Sequence, residues 1–269
     1  MVDKSEKFNW LVRVGYFSRA ILYFVLGLIA LTSASKIAEG TNGIFRAIED
    51  YPAGTVLLWI MVVGLLAYAV FRFCSLFFDI ENNGSDAKGW GKRIGHAGSG
   101  IAHLALAYSA YKFATSEGST GSDGGGGAQQ AASGVLSFEM GGFVLGALGI
   151  ALFVAAFHQA KKGVTGSFMN RISAQAPDFT RWLGGAGFLA RAVVYVVIGW
   201  SLIKAGFLSS GASEVKTLGD AVASLAGQGT IFTLTAIGLM MFGLFSLVLS
   251  RYRIIPELDA SAGVPSFRA

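Results

Sequence analysis

Gly15-Tyr16-Phe17-Ser18-Arg19-Ala20-Ile21-Leu22-Tyr23, with Gly27 one turn further on, has a near copy far down the chain. The copy is Gly187-Phe188-Leu189-Ala190-Arg191-Ala192-Val193-Val194-Tyr195, with Gly199 at the same offset. Both are apolar helices built around one arginine. Repetition at this scale marks an architecture of stacked equivalent units. The returning segment repeats as well. Shifting residues 44–71 onto the third copy brings Ala47 onto Ala221, Ile48 onto Val222, Gly64 onto Gly238, Leu65 onto Leu239 and Phe71 onto Phe245. A degenerate middle copy begins at Arg93-Ile94-Gly95-His96-Ala97-Gly98-Ser99, where Ser99 replaces the arginine and His103 the tyrosine.

Composition gives the surroundings of these units. The chain has 269 residues, 53% hydrophobic and 14% charged, with net charge +5 and mean hydropathy +0.57. Soluble domains carry roughly a quarter charged residues. Six segments, near residues 14–35, 55–78, 94–115, 137–159, 183–207 and 230–250, are long enough for a hydrocarbon core, which takes about 20 helical residues. Period-2 alternation is absent, which argues against a membrane β-barrel. The expected fold is all-α and polytopic: six transmembrane helices in three parallel hairpin repeats, forming a pseudo-threefold bundle. The repeats span residues 13–79, 93–160 and 182–252, and 253–269 form a loosely ordered cytoplasmic tail. Glycines spaced as Gly142-xxx-Gly146 and Gly91-xxx-Gly95 fit close helix contacts.

The echo of the first segment in mid-chain argues against its being a cleaved signal peptide. Basic residues set the orientation: Lys4, Lys7, Arg13, Lys88, Lys92, Arg93, Lys161, Lys162, Arg171, Arg181, Arg251, Arg253 and Arg268 share one side. That side is the cytoplasm, and both termini belong there. The same asymmetry accounts for the basic balance without nucleic-acid binding. On the other side, residues 44–51 and 218–225 carry apolar residues at helical spacing and read as short interfacial helices. Residues 116–133, rich in Gly and Ser, read as a flexible linker. The lone Cys74 excludes an intrachain disulfide and any multi-cysteine metal site.

The pattern Arg-x-Gly-x-x-Ser-Arg-Ala-x-x-Tyr-x-x-x-Gly, repeated with helical hairpins across six spans, resembles the bacterial domain of unknown function 1206 family from about Arg13 to Tyr252. The resemblance implies the bacterial inner membrane. It brings no activity and no catalytic residue.

The residues with chemistry to offer are few. Arg19 and Arg191 lie about six residues, or roughly 9 Å, inside the cytoplasmic edge. Three readings stand side by side. The arginines face the bundle axis and draw an anion, lipid headgroup or partner carboxylate; they snorkel to the headgroups; or they and Arg72 form structural ion pairs, with Asp79 as a candidate partner. Tyr23 and Tyr195, one turn beyond the arginines, pack or donate a hydroxyl. His96, His103 and His158 are the residues a haem would use. A bis-histidine site needs imidazoles from facing helices, and repeats one and three lack equivalents, so no cofactor and no metal is expected. No His-Glu-x-x-His, Gly-x-Ser-x-Gly or phosphate-loop pattern occurs. The expectation is therefore a non-enzymatic accessory protein that binds membrane lipids or another membrane complex. The alternative is a small transporter or channel with Arg19, Arg191 and Arg72 at an anion-attracting cytoplasmic mouth.

Overall fold

The computed structural model describes residues 4–32, 41–81, 83–115, 126–208 and 211–255, so the tail beyond 255 lies outside the described residues. The described chain is all-helical, with one isolated antiparallel bridge between Ile172 and Arg253. The helices are α1 (Lys4–Thr32), α2 (Thr41–Glu49), α3 (Gly54–Phe77), α4 (Ala87–Ala114), α5 (Gly126–Leu136), α6 (Gly141–Thr165), α7 (Thr180–Phe207), α8 (Leu218–Ala223) and α9 (Thr230–Tyr252). Their ends follow local chemistry. Asp86 caps α4 by accepting from the Gly89 amide at 2.8 Å. Gly166, at φ +69°, ends α6 in the left-handed conformation that glycine adopts without strain. Thr217 and Asp220 cap α8 reciprocally.

Five helices are long and apolar enough to cross a membrane: Asn9–Thr32 of α1, and α3, α6, α7 and α9. The sixth expected span, α4, has the 28-residue length of α7 but is not among them. Lys88, Lys92, Arg93, His96, His103 and Lys112, with a run of glycines, dilute its apolar character. The short helices α2 and α8 overlap the two segments, 44–51 and 218–225, expected to form short helices. Ile44, Phe45 and Ile48 of α2, and Ala221 and Val222 of α8, are buried against the bundle. Within the stretch expected to be a linker, residues from 126 onward are instead helical, in α5. Residues 116–125 lie outside the described residues. Ala132 of α5 is buried in a small cluster with Leu145, Leu202, Ala205 and Val215, and this burial stabilises a helix that composition alone does not announce.

The six long helices pack in a row: α4 on α3, α3 on α1, α1 on α9, α9 on α7, and α7 on α6. Each repeat's first helix therefore lies against another repeat's returning helix: α1 on α9, α4 on α3, α7 on α6. Two of these seams share a device. Arg13 donates to the carbonyls of Ser250, at 2.9 Å, and Arg251 at the end of α9. Arg93 donates to the carbonyls of Leu76, at 2.7 Å, and Phe77, at 3.1 Å, at the end of α3. A cation at a helix C-terminus satisfies carbonyls that lack intrahelical partners and meets the negative end of the dipole, worth about 0.3–1 kcal/mol.

Within a repeat, α1 packs on α3 and α7 on α9 at matching points. A Cβ on Gly64 would come within 2.6 Å of Ser18 Cβ, and one on Gly238 within 2.6 Å of Ala190 Cβ. The middle repeat does not follow. Its helices, α4 and α6, are the two ends of the row and are not a packed pair. A closed threefold bundle needs that contact. The face of α4 equivalent to the one α1 lays on α3 carries Gly91, Gly95, Gly98, Ala102 and Ala105, all exposed. Gly91, Gly95 and Gly98 have nothing within 4 Å of where a Cβ would sit. The Gly91/Gly95 pair thus makes no helix contact.

Glycines do join α6 to α7. A Cβ on Gly142 would lie 2.8 Å from the Gly206 carbonyl oxygen, one on Gly149 2.7 Å from that of Gly199, and one on Gly163 2.9 Å from that of Gly185. Backbone touches backbone along the whole seam, a contact only hydrogen side chains permit.

Candidate functional site

The arginines converge on one region of the bundle. Arg19 is buried. Its Nε donates to Ser246 Oγ at 3.1 Å and its Nη1 to the Tyr68 hydroxyl at 2.7 Å. Its guanidinium carbon lies 4.6 Å from the Tyr16 ring centroid, 5.1 Å from Tyr68 and 5.0 Å from Phe242. It therefore does not reach out to headgroups; it is held by hydroxyls and aromatic faces from α1, α3 and α9. Arg191 donates to the Tyr195 hydroxyl one turn along and lies over Phe242, at 4.6 Å, and Tyr23, at 5.5 Å. Tyr23 packs edge-on against Phe242 at 4.9 Å. The structure thus brings together Arg19, Arg191, Tyr23 and Tyr195 around Phe242.

Arg72 links this aromatic layer to a charged one at the turn after α3. It donates to the Tyr68 hydroxyl, its Nη1 lies 3.0 Å from His96 Nδ1, and it is 3.6 Å from Glu81. Glu81, only 7% exposed, is the hub. Arg171 reaches its Oε2 at 2.6 Å and its main-chain oxygen at 3.1 Å, Arg253 reaches Oε1 at 2.9 Å, and His96 lies 3.5 Å away. Burial alone would raise the Glu81 carboxyl. Arg253, Arg72 and Arg171 outweigh it and hold the group well below the usual carboxylate range. The expected partner, Asp79, does something else. At φ +46° it accepts from the amides of Asn83 and Gly84, each at 2.8 Å, shaping the turn that carries Glu81.

The histidines separate. His96 belongs to the Glu81 cluster. His103 lies with its ring 4.5 Å from that of Tyr68 and its Nδ1 2.7 Å from the Ser99 carbonyl, which leaves Nε2 buried without a partner. His158 is exposed on α6, beside Phe157. No group of three or more metal-ligating side chains that could hold an ion occurs among the described residues.

Glu81, Arg171, Arg253 and Tyr68 were not legible as site residues. The repeat offered one signal: Tyr68 and Arg72 superpose on Phe242 and Ser246 at the shift that aligns the returning helices. Those four positions line the arginine region from both sides.

Comparison with known proteins agrees with the internal repeats. The model of a family described as Domain of Unknown Function (DUF1206) matches three times, at residues 14–75, 94–166 and 186–253. An uncharacterized protein of Bacillus subtilis (strain 168), YxxB, is 28% identical over 263 residues, covering 93% of this chain and 94% of its own. No solved structure matches. With three tandem matches covering most of its length, the chain belongs to the DUF1206 family.

Proposed function

We propose that the chain is a six-span protein of the bacterial inner membrane with both termini in the cytoplasm. It acts without chemistry of its own, as an accessory protein that holds another membrane component, lipid or partner helix, on its open side. The carrying observation is the bare face of α4. The equivalent faces of α1 and α7 bury Gly15, Ser18 and Leu22, and Gly187, Ala190 and Val194, whereas Gly95, Gly98 and Ala102 are uncovered. On α6, Val144, Leu148 and Ala151 are likewise exposed. Helical rise gives α4 a length of about 42 Å, ample to span despite its lower hydropathy. Arg13, Arg93, Arg171, Arg181, Arg251 and Arg253, gathered at one end, support the orientation. An anion conduit through the arginine layer is the alternative. Against it, α1 beyond Tyr23 buries Leu26, Ile29 and Ala30, an apolar filling that offers a passing anion no partner.

The test is photo-crosslinking in native membranes from Ala102 on α4 and Ala151 on α6, with exposed Val63 on α3 as the reference. The expected result is a discrete adduct at the first two positions and only diffuse labelling at Val63. Indistinguishable labelling at all three, or anion flux in proteoliposomes that requires Arg19 and Arg191, overturns the accessory reading.

A further inference from the structure

The arginine region carries more positive charge than its surroundings balance. Arg19 lies within electrostatic reach of both Arg72 and Arg191, and Glu81 within reach of Arg72, Arg171 and Arg253. Among the described side chains Glu81 is the carboxylate that answers them. It engages Arg171 and Arg253 directly and Arg72 at the longer distance of 3.6 Å. The partners of Arg19 and Arg191 are neutral: a serine, tyrosine hydroxyls and ring faces. Ring faces attract a desolvated cation but offset only part of the cost of removing it from water. The Nε atoms of Arg72 and Arg191 are moreover buried with no acceptor, and a buried guanidinium N–H without a partner is costly.

The two helices with bare faces flank these groups: α4 packs on α3, which carries Arg72, and α6 on α7, which carries Arg191. The bare faces of α4 (Gly95, Gly98, Ala102, Ala105) and α6 (Val144, Leu148, Ala151) offer small and apolar side chains to whatever lies alongside. At the cytoplasmic end of α6, Lys162 is exposed and within electrostatic reach of Arg72 and Arg191. A ligand that suits both parts has an anionic head and hydrocarbon tails.

We propose that an anionic phospholipid seats between these two helices. Its phosphate lies against Arg191 and Arg72 with Lys162 at the rim, and its acyl chains run along the bare faces of α4 and α6. Arginine forks match phosphate oxygens in number and geometry. The proposal rests on the reading that the open side receives a membrane component, and it names that component.

Native mass spectrometry of the full-length protein in detergent, with phosphatidylglycerol or phosphatidylcholine of identical chains added, tests it. The expected result is one retained phosphatidylglycerol, favoured about tenfold or more over phosphatidylcholine. Arg191→Gln and Arg72→Gln each lower retention about tenfold, and Lys204→Gln, remote from the cluster, leaves it unchanged. Gly98→Phe also lowers retention, by occupying the bare face of α4. Since a Cβ at Gly98 meets nothing, this variant remains informative if an arginine variant fails to fold. Equal retention of both lipids, arginine and Gly98 variants that retain lipid like the wild type, or displacement by millimolar inorganic phosphate overturns the proposal; the last outcome identifies a free-phosphate site instead. A protein adduct at Ala102 without lipid retention sinks this inference and leaves the accessory reading standing.

Discussion

Glu81→Gln is expected to destabilise the detergent-solubilised protein by about 3–5 kcal/mol, the usual cost of removing one partner from a buried ion cluster. The carboxylate is shared among Arg72, Arg171 and Arg253. Amide substitution keeps the shape but strands three guanidinium groups, two of which tie segments 90 and 172 residues away to the turn after α3. The pH dependence is distinctive. Because the folded carboxyl titrates below the unfolded value of about 4.3, Glu81 contributes its full stabilisation above that pH and loses it as pH falls through the folded value. The difference in melting temperature between wild type and Glu81→Gln should hold constant from neutral pH down to about 5 and shrink only in stronger acid. A difference that vanished near neutrality would mean the cluster does not hold the loops together.

The second large effect is expected at the α6–α7 seam. Gly149→Leu places its Cβ 2.7 Å from the Gly199 carbonyl oxygen and 2.7 Å from Ile203 Cγ1. A backbone oxygen cannot move aside as a side-chain tip can, so the helices must part. Overpacking of this kind costs about 1–3 kcal/mol and at times more. Here the consequence is amplified because, among the long helices, α7 is the neighbour against which α6 packs. Separation should expose the α6 region to protease under conditions where α1, α3 and α9 stay protected. The contrasting substitution is Gly91→Leu on α4, which meets no neighbour and gains helix propensity of up to about 1 kcal/mol. Its melting temperature should match or slightly exceed that of the wild type. Equal losses in the two variants would show that glycine content, not the seam, matters.

How far the sequence carries depends on the distance between cause and effect. The helices are legible because apolar length and repeat spacing are properties of each segment. The positions of Arg19 and Arg191 are legible because the repeat marks them twice. What holds them is not. Tyr68, Ser246 and Phe242 come from other helices, and the repeat says which residues are equivalent without saying which helix each one meets. Asp79 looked like the natural ion-pair partner of Arg72 on helical spacing. The chain leaves the helix before that spacing applies, and the pairing falls to Glu81. The separation of α4 from α6 was likewise hidden. Hairpin repeats suggest that consecutive helices pack, but in the middle repeat each long helix packs on a neighbouring repeat and not on its own partner.

That separation has a consequence for the order of the chain itself. Arg13 grips the carbonyl end of α9, so the first and last long helices already lie side by side, while α4 and α6 stand apart. Joining residues beyond Tyr252 to the start of α1 and opening the chain between α4 and α5 would yield a circular permutant in which every packed helix pair survives. Refolded in detergent, such a permutant should melt like the parent, because adjacency in space, not succession along the polypeptide, defines this fold.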